Sequence, residues 1–120
     1  MSGELPPQVQ NQIAQIQQVQ QQAQVLAQQK NQLEIMLKES DMALEELGKL
    51  ENDVPVFKNI GNLMIKTDMV KTTEELKEKK ETLDLRLQTI TRQEERIHKR
   101  FTQLQDQLKT SVGTPTMNAE

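Results

Sequence analysis

Apolar residues return every three or four positions along two long stretches of this chain. The first stretch steps through Val9, Ile13, Ile16, Val19, Ala23 and Leu26, then Leu33, Leu37, Leu44 and Leu47. The second steps through Leu76, Leu83, Leu87, Ile90, Ile97, Phe101, Leu104 and Leu108. A three-four alternation of this length is the seam of a coiled coil. Between the two, residues 54–67 switch to short β-branched and apolar runs around an Asn-Ile-Gly-Asn sequence, the pattern of a β-hairpin. The pattern predicts one domain over residues 1–120, made of a helix over 8–50, a hairpin over 54–67, a helix over 72–111 and a mobile tail over 112–120. The expected fold is mostly α: a long antiparallel two-helix coiled coil joined by one β-hairpin.

Local signals place the ends. Pro6 and Pro7 stand where the first helix begins, in the turn whose N–H groups lack partners anyway. No proline or glycine follows until Gly48, so about 40 residues run as one helix of about 60 Å. Its first half is crowded with glutamine, which is a good helix former, and the apolar steps keep their spacing through it. Gly48 weakens this helix and Pro55 cannot continue it. Asn59 to Asn62 are read as the hairpin turn, with Gly61 free to take positive φ. Thr72 and Glu75 have capping-box spacing and mark the expected start of the second helix.

The hairpin turns the chain back, so the two helices run antiparallel. With Leu47 set opposite Leu76, Lys30 falls near Glu94, and both are charged residues in otherwise apolar seams. They are expected to meet and help fix the register, as polar seam residues do in coiled coils. The other reading is that each reaches separately to water along its apolar stem.

The hairpin itself demands company. Two strands alone are marginal in water and leave two open edges. Val54, Val56, Phe57, Ile60, Leu63, Met64 and Ile65 put apolar side chains on both faces. The expectation is that hairpins from several chains join in an intersubunit sheet or β-barrel from which the coiled coils project. A hairpin folded back on its own coiled coil is the alternative.

Composition narrows the function. Apolar residues make up 34% and aromatic residues 2%, with no Trp or Tyr. Globular domains hold about 45–50% apolar residues when glycine is counted with them, so this chain suits a narrow seam better than a compact core. The net charge is −3, without the basic excess that phosphate binding requires, so no nucleic-acid partner is expected. Cysteine is absent, which removes disulfides and thiolate metal sites. No stretch approaches the ~20 apolar residues of a membrane span, and residues 1–7 lack signal-peptide character, so a cytoplasmic protein without membrane contact is expected. The one histidine, His98, lies among Arg96, Lys99 and Arg100 on a helix surface, with no cleft or partner for catalysis. The basic residues Arg92, Arg96, Lys99 and Arg100 are interleaved with Glu94 and Glu95 and read as a solvated face. Packing accounts for Met36, Met42 and Met64, which leaves Met117 in the tail as the methionine placed for adaptable binding. No enzyme, cofactor or metal site is expected.

Three segments carry a resemblance. The start Leu5-Pro-Pro-x-Val-Gln, the centre Val56-Phe-Lys-Asn-Ile-Gly-Asn-Leu-Met-Ile-Lys66, and Arg92-Gln-Glu-Glu-Arg96 resemble the β class of prefoldin subunits, in its archaeal form, over nearly the whole chain. Phe57 departs from the tyrosine common there. The resemblance implies a hexamer of two α and four β subunits on a double β-barrel of hairpins, with six arms around a cavity. It implies ATP-independent holding of unfolded polypeptide at the arm tips and delivery to a group II chaperonin. Both chain ends would lie at the tips. There Leu5, Val9, Ile13, Leu104, Leu108 and Val112 are the expected client contacts, as apolar residues framed by glutamine, while Ile16 and Phe101 belong to the seam. A coiled-coil scaffold or tether without chaperone activity is the competing reading.

Overall fold

The computed structural model describes residues 5–112. The elements run α1 (Pro7–Lys49), β1 (Val56–Ile60), β2 (Leu63–Thr67) and α2 (Met69–Val112). The described residues group into two compact units, one from the chain ends (5–30 with 90–112) and one from the middle (31–89).

The helices form for local reasons. Gln, Leu, Glu, Lys and Ala dominate both and carry little helical penalty. Pro7 takes the first helical position of α1, and the carbonyl of Pro6 accepts the first helical bond from the Gln10 N–H at 3.0 Å. The Gln10 side chain adds a bond from Nε2 to the Leu5 carbonyl at 2.9 Å. At the other end Lys49 lies 3.4 Å from Glu46 and 3.8 Å from Glu45 and places its charge where the helix dipole favours it.

α2 begins at Met69, three residues ahead of the start that Thr72 and Glu75 suggested. Asp68 is the cap. Its Oδ1 accepts the Val70 N–H at 3.1 Å, and its carbonyl accepts the Thr72 N–H at 2.9 Å. The Thr72 hydroxyl, freed from capping, bonds Thr67 Oγ1 at 3.1 Å and ties the end of β2 to the first turn of α2.

Val54 is not part of the hairpin ladder. Pro55 has no N–H to donate and biases Val54 away from helix, so Val54 closes a turn onto the Glu51 carbonyl at 3.2 Å and pairing starts at Val56. The strands pair antiparallel with Val56 opposite Thr67, Lys58 opposite Ile65 and Ile60 opposite Leu63. The turn is therefore only Gly61-Asn62. Gly61 has φ of +58°, and no other described residue has positive φ, the sign pattern of a type II′ hairpin turn. A Cβ at Gly61 would meet nothing, so the cost of Gly61→Ala is conformational. It should lower stability by about 1 kcal/mol in thermal melts, whereas Gly48→Ala, in ordinary helical backbone, should raise it by a similar amount.

In the chain-end unit Val9, Val19 and Leu104 are buried, and in the middle unit Leu37, Leu83 and the polar Ser40. Each buried apolar side chain is worth about 1.5–3 kcal/mol. Within each unit the helical segments pack antiparallel. Lys30 meets Glu94, while Val19 and Ala23 share a groove with Ile97 and Phe101. In the middle unit Asp41 meets Lys80, while Leu47 shares a groove with Leu76.

Candidate binding and assembly surfaces

Three surfaces take up the residues singled out in the sequence. The first is the hairpin. Strand alternation and the register put Val56, Lys58, Ile60, Leu63, Ile65 and Thr67 on one face, and Phe57, Asn59, Met64 and Lys66 on the other. Phe57, Ile60, Leu63, Met64 and Ile65 are all exposed, up to 64% for Leu63 and 69% for Met64. Val56 is half-buried, because it lines a groove with Leu47, Leu50, Phe57 and Leu76 where the hairpin meets the helices. Lys58 reaches Glu75 at 3.9 Å, an exposed pair of little energetic weight. Both edges of the two-stranded sheet are open among the described residues. Met64, and likewise Met42 on α1 at 57% exposure, stand in the open, so intrachain packing does not account for them.

The second surface is the chain-end unit. Leu5 and Val112 are exposed, and Ile13 and Leu108 are half-buried. Val9 is only 3% exposed and Leu104 is fully buried. Val9 and Leu104 therefore present no apolar surface on the free chain, against the expectation for them. The helices do not open at these positions, and both residues complete the seam. Ile16 and Phe101 are half-buried. Met117 and the expected tail beyond Val112 lie outside the described residues. Gln12, not Ile13, continues the strict three-four step from Val9 to Ile16. Its Oε1 is shut off from solvent and has no donor among the described residues.

The third feature is the set of charges in the seam. Lys30 Nζ lies 3.1 Å from Glu94 Oε1, with about a third of each side chain exposed. A double-mutant cycle on Lys30→Met and Glu94→Gln should give a coupling of about 0.5–1 kcal/mol in chemical denaturation. A second pair was not foreseen. Lys80 Nζ lies 2.6 Å from Asp41 Oδ1. The signal was present, since Lys80 occupies the seam step between Leu76 and Leu83, as Ser40 does between Leu37 and Leu44. The hydrogen bond and charge of Asp41, with Asp84 adding to them, raise the Lys80 pKa above its ordinary value. A raised lysine pKa gives stability that is complete below the unfolded value of about 10.4 and is lost as pH climbs through the folded one. The destabilisation caused by Lys80→Met should therefore be flat from neutral pH to about pH 9 and fade in stronger alkali, as read from urea midpoints across pH.

His98, Arg92, Arg96, Lys99 and Arg100 are all exposed on α2. Among the described residues no group of His, Cys, Asp and Glu is arranged to hold a metal ion. No described helix is long and apolar enough to cross a membrane.

Known proteins share this arrangement. Two long helices joined by one exposed two-stranded hairpin define the class of this chain, a helix–hairpin–helix protein. Residues 10–114 match the family described as Prefoldin subunit. The prefoldin subunit β of Methanococcoides burtonii is 66% identical over 114 residues, covering 95% of this chain and 97% of the relative. That of Pyrococcus furiosus is 40% identical over 93% of this chain and 96% of its own length. The crystal structure of the prefoldin β subunit from Thermococcus strain KS-1 superposes with a TM-score of 0.83 at 38% identity, covering 93% of this chain and 98% of that one. The chain belongs to the prefoldin family, on its β-subunit side.

Proposed function

We propose that this chain is the β-type subunit of an ATP-independent holding chaperone, assembled through its hairpin with α-type subunits and further copies of itself. Family membership over nearly the full length supports the chaperone reading. The observation that carries the assembly is the hairpin, whose Phe57, Ile60, Leu63, Met64 and Ile65 remain exposed on the free chain. An exposed apolar ribbon with two open edges is unstable against pairing, and a shared barrel removes both the edges and the exposed area. The complex has two α-type and four β-type subunits. Unfolded polypeptide is held at the chain-end units, where Leu5 and Val112 present apolar surface and Ile13 and Leu108 are half-buried. Single contacts of this size are weak, and several arms acting on one client raise the apparent affinity. The cargo is then passed to a group II chaperonin in the cytoplasm. Lys30 and Glu94 hold the helical register of each arm.

The test is a holding assay. The chain reconstituted with an α-type subunit should slow the aggregation of a chemically denatured protein, at roughly equimolar complex and without nucleotide. A coiled-coil tether would assemble equally well and leave aggregation unchanged, and that result would reject the chaperone reading.

A further inference from the structure

Residues 5–29 carry no ionisable side chain, although the rest of the chain is rich in charge. A solvated helix face is ordinarily built from Glu and Lys, whose i,i+4 pairs add stability. Here most of the exposed positions are filled by glutamine and none by a charged residue. Four of them, Gln18, Gln21, Gln22 and Gln29, line one open groove of the chain-end unit, with the half-exposed Val25 among them. Leu26 and Ile97 line the same groove and are half-buried, which gives it an apolar side.

Resting on the chaperone reading, we infer that this groove is a main-chain binding site that takes an extended stretch of unfolded polypeptide by its backbone amides. Each glutamine amide offers two donor hydrogens and an acceptor oxygen. An unfolded chain offers the complementary set, unpaired N–H and C=O groups at every residue. Gln18 and Gln22 are four residues apart on one helix, a rise of about 6 Å. An extended chain repeats every two residues, at about 6.6 Å. Successive amides can thus address alternate residues of one bound strand, while small apolar side chains rest against Val25. The scarcity of charge fits the same occupant. A groove lined with many charges would select clients by their side chains, whereas one lined mostly by amides reads chiefly what all polypeptides share. Arg96, on the α2 side, is the one charge lining the groove.

The test uses the complete complex and two probes: a short fluorescent peptide of Ser, Thr and Val, and the same peptide N-methylated at alternate residues, which removes backbone donors. The native complex should bind the plain peptide about five- to tenfold more tightly than the methylated one, with little dependence on salt. Gln18→Ala/Gln22→Ala should abolish that preference. Gln17→Ala/Gln28→Ala, on glutamines of the same helix outside the groove, should keep it. Alanine favours helix, and circular dichroism will show that both variants stay helical. The inference is overturned if methylation makes no difference to the native complex, if Gln18→Ala/Gln22→Ala retains the preference, or if the peptide fails to bind a complex that still suppresses aggregation. It is also overturned if the groove proves to seat a second complex, seen as mass that grows with concentration and is lost in Gln18→Ala/Gln22→Ala. A complex that neither binds peptide nor suppresses aggregation would bring down the chaperone reading itself.

Discussion

Leu63→Asp combined with Ile65→Asp should leave a helical chain that no longer assembles. Both side chains lie on the hairpin face that also carries Val56 and Ile60, and both are exposed on the free subunit. The substitutions therefore remove little from the fold of the chain itself. In the proposed assembly the same positions would be buried, and each substitution would forfeit about 1.5–3 kcal/mol of apolar burial. Each also brings a carboxylate that would have to leave water without a partner, which costs more than the apolar loss. Together they should weaken association by more than about a thousandfold. Native mass measurements should show free chains at micromolar concentration, while circular dichroism shows the helices intact. An assembly of unchanged mass would mean that other surfaces join the subunits and that the hairpin has a different purpose.

Leu104→Ala should produce the largest loss of stability of any alanine substitution in the chain-end unit. Leu104 has 0% exposure, the most completely buried large side chain among the described residues. Leucine-to-alanine changes at such sites cost about 2–5 kcal/mol, from lost transfer energy and the cavity left behind. Hydrogen exchange should show faster opening across residues 90–112, and the thermal transition should fall. Leu5→Ser with Val112→Ser gives the contrast, because both residues are exposed and their replacement should change stability by less than about 0.5 kcal/mol. That pair should instead reduce the holding of unfolded protein. If Leu104→Ala lowered holding while leaving hydrogen exchange unchanged, Leu104 would be a client contact and its burial in the free chain would be transient.

The contrast between Leu104 and Val112 also measures how far the sequence could be read. The three-four steps ran through Leu104 and stopped at Leu108, Val112 was read as the first residue of the tail, and both were expected to meet clients near the chain ends. Nearness to an end suggested fraying. The stripe in fact stays closed through Val9 and Leu104, and only Leu5 and Val112 stand clear. Periodicity says which way a side chain points, since that follows from the local geometry of the helix. It does not say whether something covers it.

Polar seam positions show the same boundary. Lys30 and Glu94 were brought opposite each other by counting from the hairpin, and the structure places them 3.1 Å apart. Lys80 occupied an equally regular step and went unread, because Asp41, its partner, lies off the stripe of α1. The capping signal at Thr72 misled for a related reason. Its spacing suits a box, yet Asp68 reaches the first free N–H groups and Thr67 claims the Thr72 hydroxyl. That choice depends on where β2 ends, which no local spacing records.

The chain's own order of residues was enough to determine two helices, one hairpin between them and the stripes on which their apolar residues lie. These follow from dihedral preference and period, which act over a few neighbours. Tertiary structure alone decided which members of a stripe are closed over, which charges meet across the seam, and that most of the hairpin's apolar residues find no cover among the described residues. Those outcomes depend on contacts between residues tens of positions apart, where burial and ion pairing are set by what lies opposite and not by what comes next.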